Sequence, residues 1–156
     1  MAKQEFKPLL ASGFKEIGIW QLDSLFLEPF AAQKQRKRLV DKLRLFLEEF
    51  LYLEIDSELW IDGSFATYKP DPEDIDLLFL LNRNEIDTLD EVKAGLFSRL
   101  LINREMVRSL YLLDVYFIDV GEKSEIEKWI NNFGFDSKKI NSKGIFKINL
   151  KTYAKL

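Results

Sequence analysis

Apolar side chains recur at Leu39, Leu43, Phe46, Leu47 and Phe50, the three- and four-residue spacing of one helix face, and predict an amphipathic helix over about 31–52. Its opposite side carries Lys34, Arg36, Lys37, Arg38, Lys42 and Arg44, read as a solvated basic face rather than a patch for polynucleotide or partner. Further on, the apolar period shortens. Residues 58–62 read as a short strand, and Ile75 to Leu81 as a strand apolar on both sides after its opening acids, as in the centre of a covered sheet. Thr88 and Glu91 form a capping box for a helix over about 88–102, with Leu89, Val92, Leu96 and Leu100 inward. Leu110 to Val120 is a third strand. Ser124 and Glu127 suggest another capping box, for a short helix with Ile126, Trp129 and Ile130 inward and Gly134 at its close. The tail, Gly144 to Leu150, alternates as an edge strand does and offers a surface for pairing between subunits. Ahead of these, residues 1–20 have no sustained period and read as an extended arm on the domain edge. A short helix over 22–30, capped by Asp23 or Ser24, stops near Pro29. The sum is one α/β (α+β) domain spanning 1–156: a mixed sheet of three to five strands packed against helices, with 1–30 as arm and short helix.

Composition narrows the chemistry. Thirteen phenylalanines in 156 residues allow a sizeable core for a short chain. No apolar run approaches the roughly 18 residues of a membrane span, and the start, with Lys3, Glu5 and Lys7, lacks a signal-peptide core, so a cytoplasmic location is expected. Cysteine and histidine are both absent. Disulfides, thiol nucleophiles, imidazole catalysis and ordinary zinc sites are thereby excluded, and carboxylates are left as the strong metal ligands, which favours Mg²⁺, Mn²⁺ or Ca²⁺. A net charge of −3 gives no indication of a nucleic-acid partner.

The candidate chemistry lies between Trp60 and Leu81, in WIDGSFATYKPDPEDIDLLFLL. Gly63 lets the backbone approach a ligand closely, and Ser64 aims a hydroxyl and the amides that follow at a phosphate. A single helical turn over Phe65 to Tyr68 would present its first amides to an anion. Asp74 and Asp76, two apart, share a strand face; neighbouring carboxylates repel unless a cation sits between them. Lys69, in the intervening loop, either neutralises phosphate charge or is solvated. Asp62 reads as a turn-capping acid. In the later strand Asp114 is enclosed by apolar neighbours, and burying a lone carboxylate costs several kcal/mol, which argues for a purpose; the alternative is an acid satisfied by a structural lysine or arginine. Leu112, Asp114 and Tyr116 share a face, whereas Asp119 reads as a strand-end turn acid. Arg104 and Arg108, four apart, are read as surface residues flanking the sheet, with a clamp on triphosphate or on a nucleic-acid end as the alternative.

Gly63, Ser64, a spacer of nine residues, then Asp74, Ile75, Asp76 and Leu77 resemble the signature of the nucleotidyltransferase (DNA polymerase β) superfamily. WIDGSF with the later LDVYF and KGIF is similar to a group of small uncharacterised bacterial nucleotidyltransferase-like proteins. The resemblance covers most of the chain, although its informative motif is about a tenth of it. It implies a nucleotidyltransferase-like fold, phosphate binding at Gly63 and Ser64, and a pair of Mg²⁺ (or Mn²⁺) ions held by Asp74, Asp76 and Asp114 as catalytic carboxylates. The implied substrate is a nucleoside triphosphate, ATP first, whose nucleoside monophosphate passes to an acceptor hydroxyl. Many active relatives carry an extra helical domain, so a catalytically silent nucleotide-binding module, an antitoxin or defence-system component with a protein partner, is the alternative. An unrelated DxD enzyme fits less well: a haloacid-dehalogenase phosphatase wants a hydroxyl residue where Leu78 stands.

Overall fold

The computed structural model of the protein describes residues 6–136 and 141–151. The residues 1–5 at the start of the expected arm lie outside them.

The acid-led apolar run becomes strand β3, Ile75–Leu81, and its neighbours follow from its two apolar faces. β2, Ser57–Asp62, pairs with it antiparallel, setting Ser57 opposite Leu81 and Asp62 opposite Asp76. β4, Leu113–Asp119, runs parallel to β3 on the other side, with Ile75 opposite Leu113 and Asp76 opposite Asp114. On the far side of β2 lies β5, Ile145–Leu150, antiparallel to it, and β1, Phe14–Glu16, adds to β5 in parallel. The mixed sheet has five strands in the order β1-β5-β2-β3-β4. The expected edge strand at the tail is therefore interior. The arm supplies the edge instead: Gly144 N donates to Leu10 O at 2.7 Å and Ile145 N to Gly13 O at 2.8 Å.

Two apolar layers sandwich the sheet. Ile75, Leu77, Phe79 and Leu81 face the larger one, with Leu39, Leu43, Phe46, Leu47 and Phe50 of helix α2, Lys34–Leu51. Leu78 and Leu80 face the other way, with Trp60 and Ile145, toward Ile126, Trp129, Ile130 and Phe133 of helix α6, Lys123–Phe133. Parity along β3 thus assigns Asp76 to the α6 side. Between β3 and its parallel neighbour the chain must cross over. It does so through α3, Arg83–Asp87, α4, Glu91–Phe97, a π-helical turn over Ser98–Ile102, and α5, Arg104–Tyr111. Among the described residues no helix is long and apolar enough to cross a membrane.

Several boundaries move for local reasons. The helix expected over 88–102 starts only at Glu91, because Thr88 instead closes α3, donating its Oγ1 to Glu85 O at 2.9 Å, while Asp90 caps α4 by accepting from Lys93 N at 2.8 Å. The strand expected from Leu110 begins at Leu113, since α5 runs to Tyr111 and Leu112 turns the chain with φ 55°. α1, Leu22–Phe26, has no side-chain cap, Asp23 pairing instead with Arg44 at 3.0 Å. Nor does α6 have its capping box: it starts at Lys123 without a side-chain cap, and Gly134 closes it as expected. Asp119 behaves as a strand-end acid, accepting from Arg83 N at 2.9 Å and Gly121 N at 3.2 Å.

Candidate functional site

At the end of the sheet where β2 leaves and β3 and β4 enter, the register sets three carboxylates side by side. Asp62 pairs with Asp76 and Asp76 with Asp114. Residues directly opposite one another project to the same face, so the row lies on the α6 side of the sheet. Asp74 stands just ahead of β3. All four acids line one cleft of about 840 Å³, together with Gly63, Ser64, Thr67, Lys69, Tyr116 and Lys143. Asp74, Asp76, Asp114, Gly63, Ser64 and Lys69, distant in sequence, are thus brought to one cavity.

Gly63 is required by geometry. Its φ of +83° suits glycine, and a Cβ built there would lie 2.7 Å from Asp76 Oδ2. The missing side chain is the space the Asp76 carboxylate occupies. The chain then makes a 3-10 turn over Ser64–Ala66, earlier than the turn expected at Phe65–Tyr68, with Ala66 N on Gly63 O at 3.1 Å. Thr67 closes it, donating its Oγ1 to Ser64 O at 2.6 Å.

The spacer beyond the turn is held from beneath by Arg36. Expected on a solvated basic face, this side chain is fully buried. Nε and Nη2 donate to Lys69 O at 3.1 and 2.6 Å, Nη2 also to Thr67 O at 2.7 Å, and Nη1 to Phe65 O at 3.0 Å and Phe26 O at 3.1 Å. The guanidinium lies over the Phe30 ring at 3.6 Å. Burial lowers its pKa to about 10, which leaves it charged at neutral pH. The sequence held a signal for this: Arg36 is in phase with Leu39, Val40 and Leu43 on the apolar stripe.

Asp62 is likewise more than a turn cap. It is 4% exposed, and its Oδ1 lies 2.9 Å from Lys143 Nζ, a charge contact without the angle of a hydrogen bond. Lys143 Nζ donates to Gly63 O at 3.0 Å, tying the lead-in to β5 to the Gly-Ser turn. Burial drives the Asp62 carboxyl up from 3.8 to about 7; Lys143 opposes the rise and the charge of Asp76 adds to it.

Asp114 is fully engaged. Its Oδ1 accepts from Nη2 of Arg104 at 2.5 Å and Nη2 of Arg108 at 2.9 Å, and its Oδ2 from the Tyr116 hydroxyl at 2.9 Å. Arg104 also lies over the Tyr116 ring at 4.1 Å. Burial alone would raise the Asp114 pKa, but the bonds from Arg104, Tyr116 and Arg108 outweigh it and hold the carboxyl below its ordinary value. The two arginines, half-exposed, are committed to Asp114, which lines the cleft, rather than merely flanking the sheet.

Residues 4–149 match the model of a family described as "Family of unknown function (DUF6932)". The chain belongs to this family. No curated protein and no solved structure matches it. For this DUF6932 chain, the chemistry of the cleft therefore carries the functional reading.

The donor set is all oxygen, which suits a hard cation. Mg²⁺ is commonly held by one or two carboxylates plus substrate phosphates, so Asp74 and Asp76 fit an ion that arrives with a nucleotide. Among the described residues, no three His, Cys, Asp or Glu side chains are grouped as a cage for an ion. Asp114, its oxygens bonded to guanidinium and phenol, does not fit as a third ligand while those bonds stand.

Proposed function

We propose that the cleft binds a metal-bound nucleoside triphosphate, ATP first, and that the protein is a nucleotidyltransferase acting on an acceptor hydroxyl. One observation carries the reading: the β2–β3–β4 register sets Asp76 against Gly63 and in line with Asp114, in the same cleft as Asp74, Ser64 and Lys69. Asp74 and Asp76 would hold Mg²⁺ or Mn²⁺, which supplies charge neutralisation on the phosphates and lowers the pKa of a nearby hydroxyl. Gly63 and Ser64 seat the phosphates beside them, and Lys69 and Lys143 offset phosphate charge. The acceptor oxygen displaces pyrophosphate in line at the α-phosphorus. Alignment and electrostatics carry such a reaction, consistent with a chain that lacks histidine. Cytoplasm, where ATP and Mg²⁺ are at hand, is the location this reading implies.

Calorimetric titration of ATP into the protein tests it. Affinity is expected to require Mg²⁺ or Mn²⁺ and to fall at least roughly tenfold in Asp74→Ala and in Asp76→Ala. ATP affinity that ignores the metal would remove the enzyme reading.

The engagement of Asp114 by Arg104, Arg108 and Tyr116 favours a second reading, a silent nucleotide-binding module such as an antitoxin or defence-system component. Co-purification of a protein partner, with no transfer of labelled nucleotide to either protein from ATP, would select it.

A further inference from the structure

Asp114 occupies the place of a third metal-binding acid, yet its surroundings are those of an anchor. A divalent cation approaching it would have to displace three hydrogen-bond donors and face two guanidinium charges. We infer that Asp114 is a positioning residue that fixes Arg104 and Arg108 as a clamp for the polyphosphate chain of the substrate. The inference rests on the triphosphate reading given above.

Three features carry it. The first is charge: one carboxylate against two guanidinium groups leaves a surplus positive charge beside Asp114, which lines the same cleft as Asp74 and Asp76. A phosphate chain neutralised by a cation at Asp74 and Asp76 would need a counter-charge at its other end. The second is donor capacity. Only Nη2 of each arginine meets Asp114, so both side chains, 43% and 54% exposed, retain N–H groups in the planar fork that suits phosphate oxygens. The third is preorganisation. Arg104 and Arg108 are one turn apart on α5, Arg104 is held over the Tyr116 ring, and both end on a carboxylate in register with Asp76. Adjacent strands lie about 4.8 Å apart, which fixes the clamp close to the other acids. Side chains already ordered lose little freedom when a ligand arrives.

The full-length protein, titrated separately with metal-free inorganic tripolyphosphate in EDTA and with Mn²⁺ alone, distinguishes anchor from metal ligand. Tripolyphosphate is expected to bind the wild type and to bind Arg104→Met and Arg108→Met at least roughly tenfold more weakly. Asp114→Asn should weaken it comparably, combine with Arg104→Met less than additively, and leave Mn²⁺ affinity within about twofold, whereas Asp74→Ala should lose Mn²⁺ binding. Arg104→Lys, which keeps the charge but not the fork, should recover only part of the affinity. The inference is overturned if the wild type ignores tripolyphosphate, if the arginine variants bind it normally, or if Asp114→Asn costs as much Mn²⁺ affinity as Asp74→Ala. Should Asp114→Asn fail to fold, the arginine variants decide alone. ATP binding that ignores metal would count against the nucleotidyltransferase reading, a separate result from the metal-free titration.

Discussion

Gly63 and Asp62, neighbours in sequence, have opposite constraints. Gly63 combines a φ and ψ of +83° and −169° with a carboxylate where its Cβ would be, so Gly63→Ala should cost about 1–3 kcal/mol. The variant should also lose metal-dependent ATP affinity as Asp76 is pushed aside; a urea melt and the ATP titration read the two effects. Asp62 titrates near 7 in the fold and near 3.8 when unfolded, so the native state holds the proton more tightly. That stabilisation is complete below about pH 4 and is lost as the pH rises through about 7. The thermal midpoint of wild type minus that of Asp62→Asn should therefore fall across that window; a difference that does not change with pH would contradict it. The placing of Asp76 and Asp114 on strands was legible in the sequence because Asp76 shares a face with Asp74 at the head of an apolar run and Asp114 interrupts one. The Asp62–Lys143 contact was not, because Lys143 lies 80 residues beyond the Gly63 carbonyl it bonds and the pairing depends on where β5 enters the sheet.

At the scale of elements, periodicity located β2, β3 and α2 closely, since each buries a face whose spacing is unmistakable. It failed where two polar residues competed for one task, as Thr88 and Asp90 do at the start of α4. It also misjudged Arg36, whose charge suggested solvent although its phase put it in the core. Arg36 joins α2 to the spacer between the Gly-Ser turn and Asp74. Replacing it by methionine should cost about 3 kcal/mol, as when one member of a buried polar network is removed. For a chain of this size that lowers the thermal midpoint by roughly 6–12 °C. Arg36→Lys should recover only part of this, because one ammonium cannot reach the carbonyls of Phe26, Phe65, Thr67 and Lys69 together.

Across the whole molecule, the arm and the last strand complete each other. β1 is only three residues long, but with the bonds from Gly144 and Ile145 to Leu10 and Gly13 it covers the apolar β5 edge. Deleting the chain through Glu16 should bare that edge and give stronger concentration-dependent association by light scattering than the full chain; equal association in both would contradict it. The place of β5 also bears on synthesis. The segment made after β2 is inserted between β1 and β2 and brings Lys143 to the Gly-Ser turn, so a nascent chain on the ribosome has neither the β1-β5-β2 pairing nor the Lys143 bond to Gly63 until residues near 150 have emerged. Closure of the sheet is in this way reserved for chains synthesised past that point.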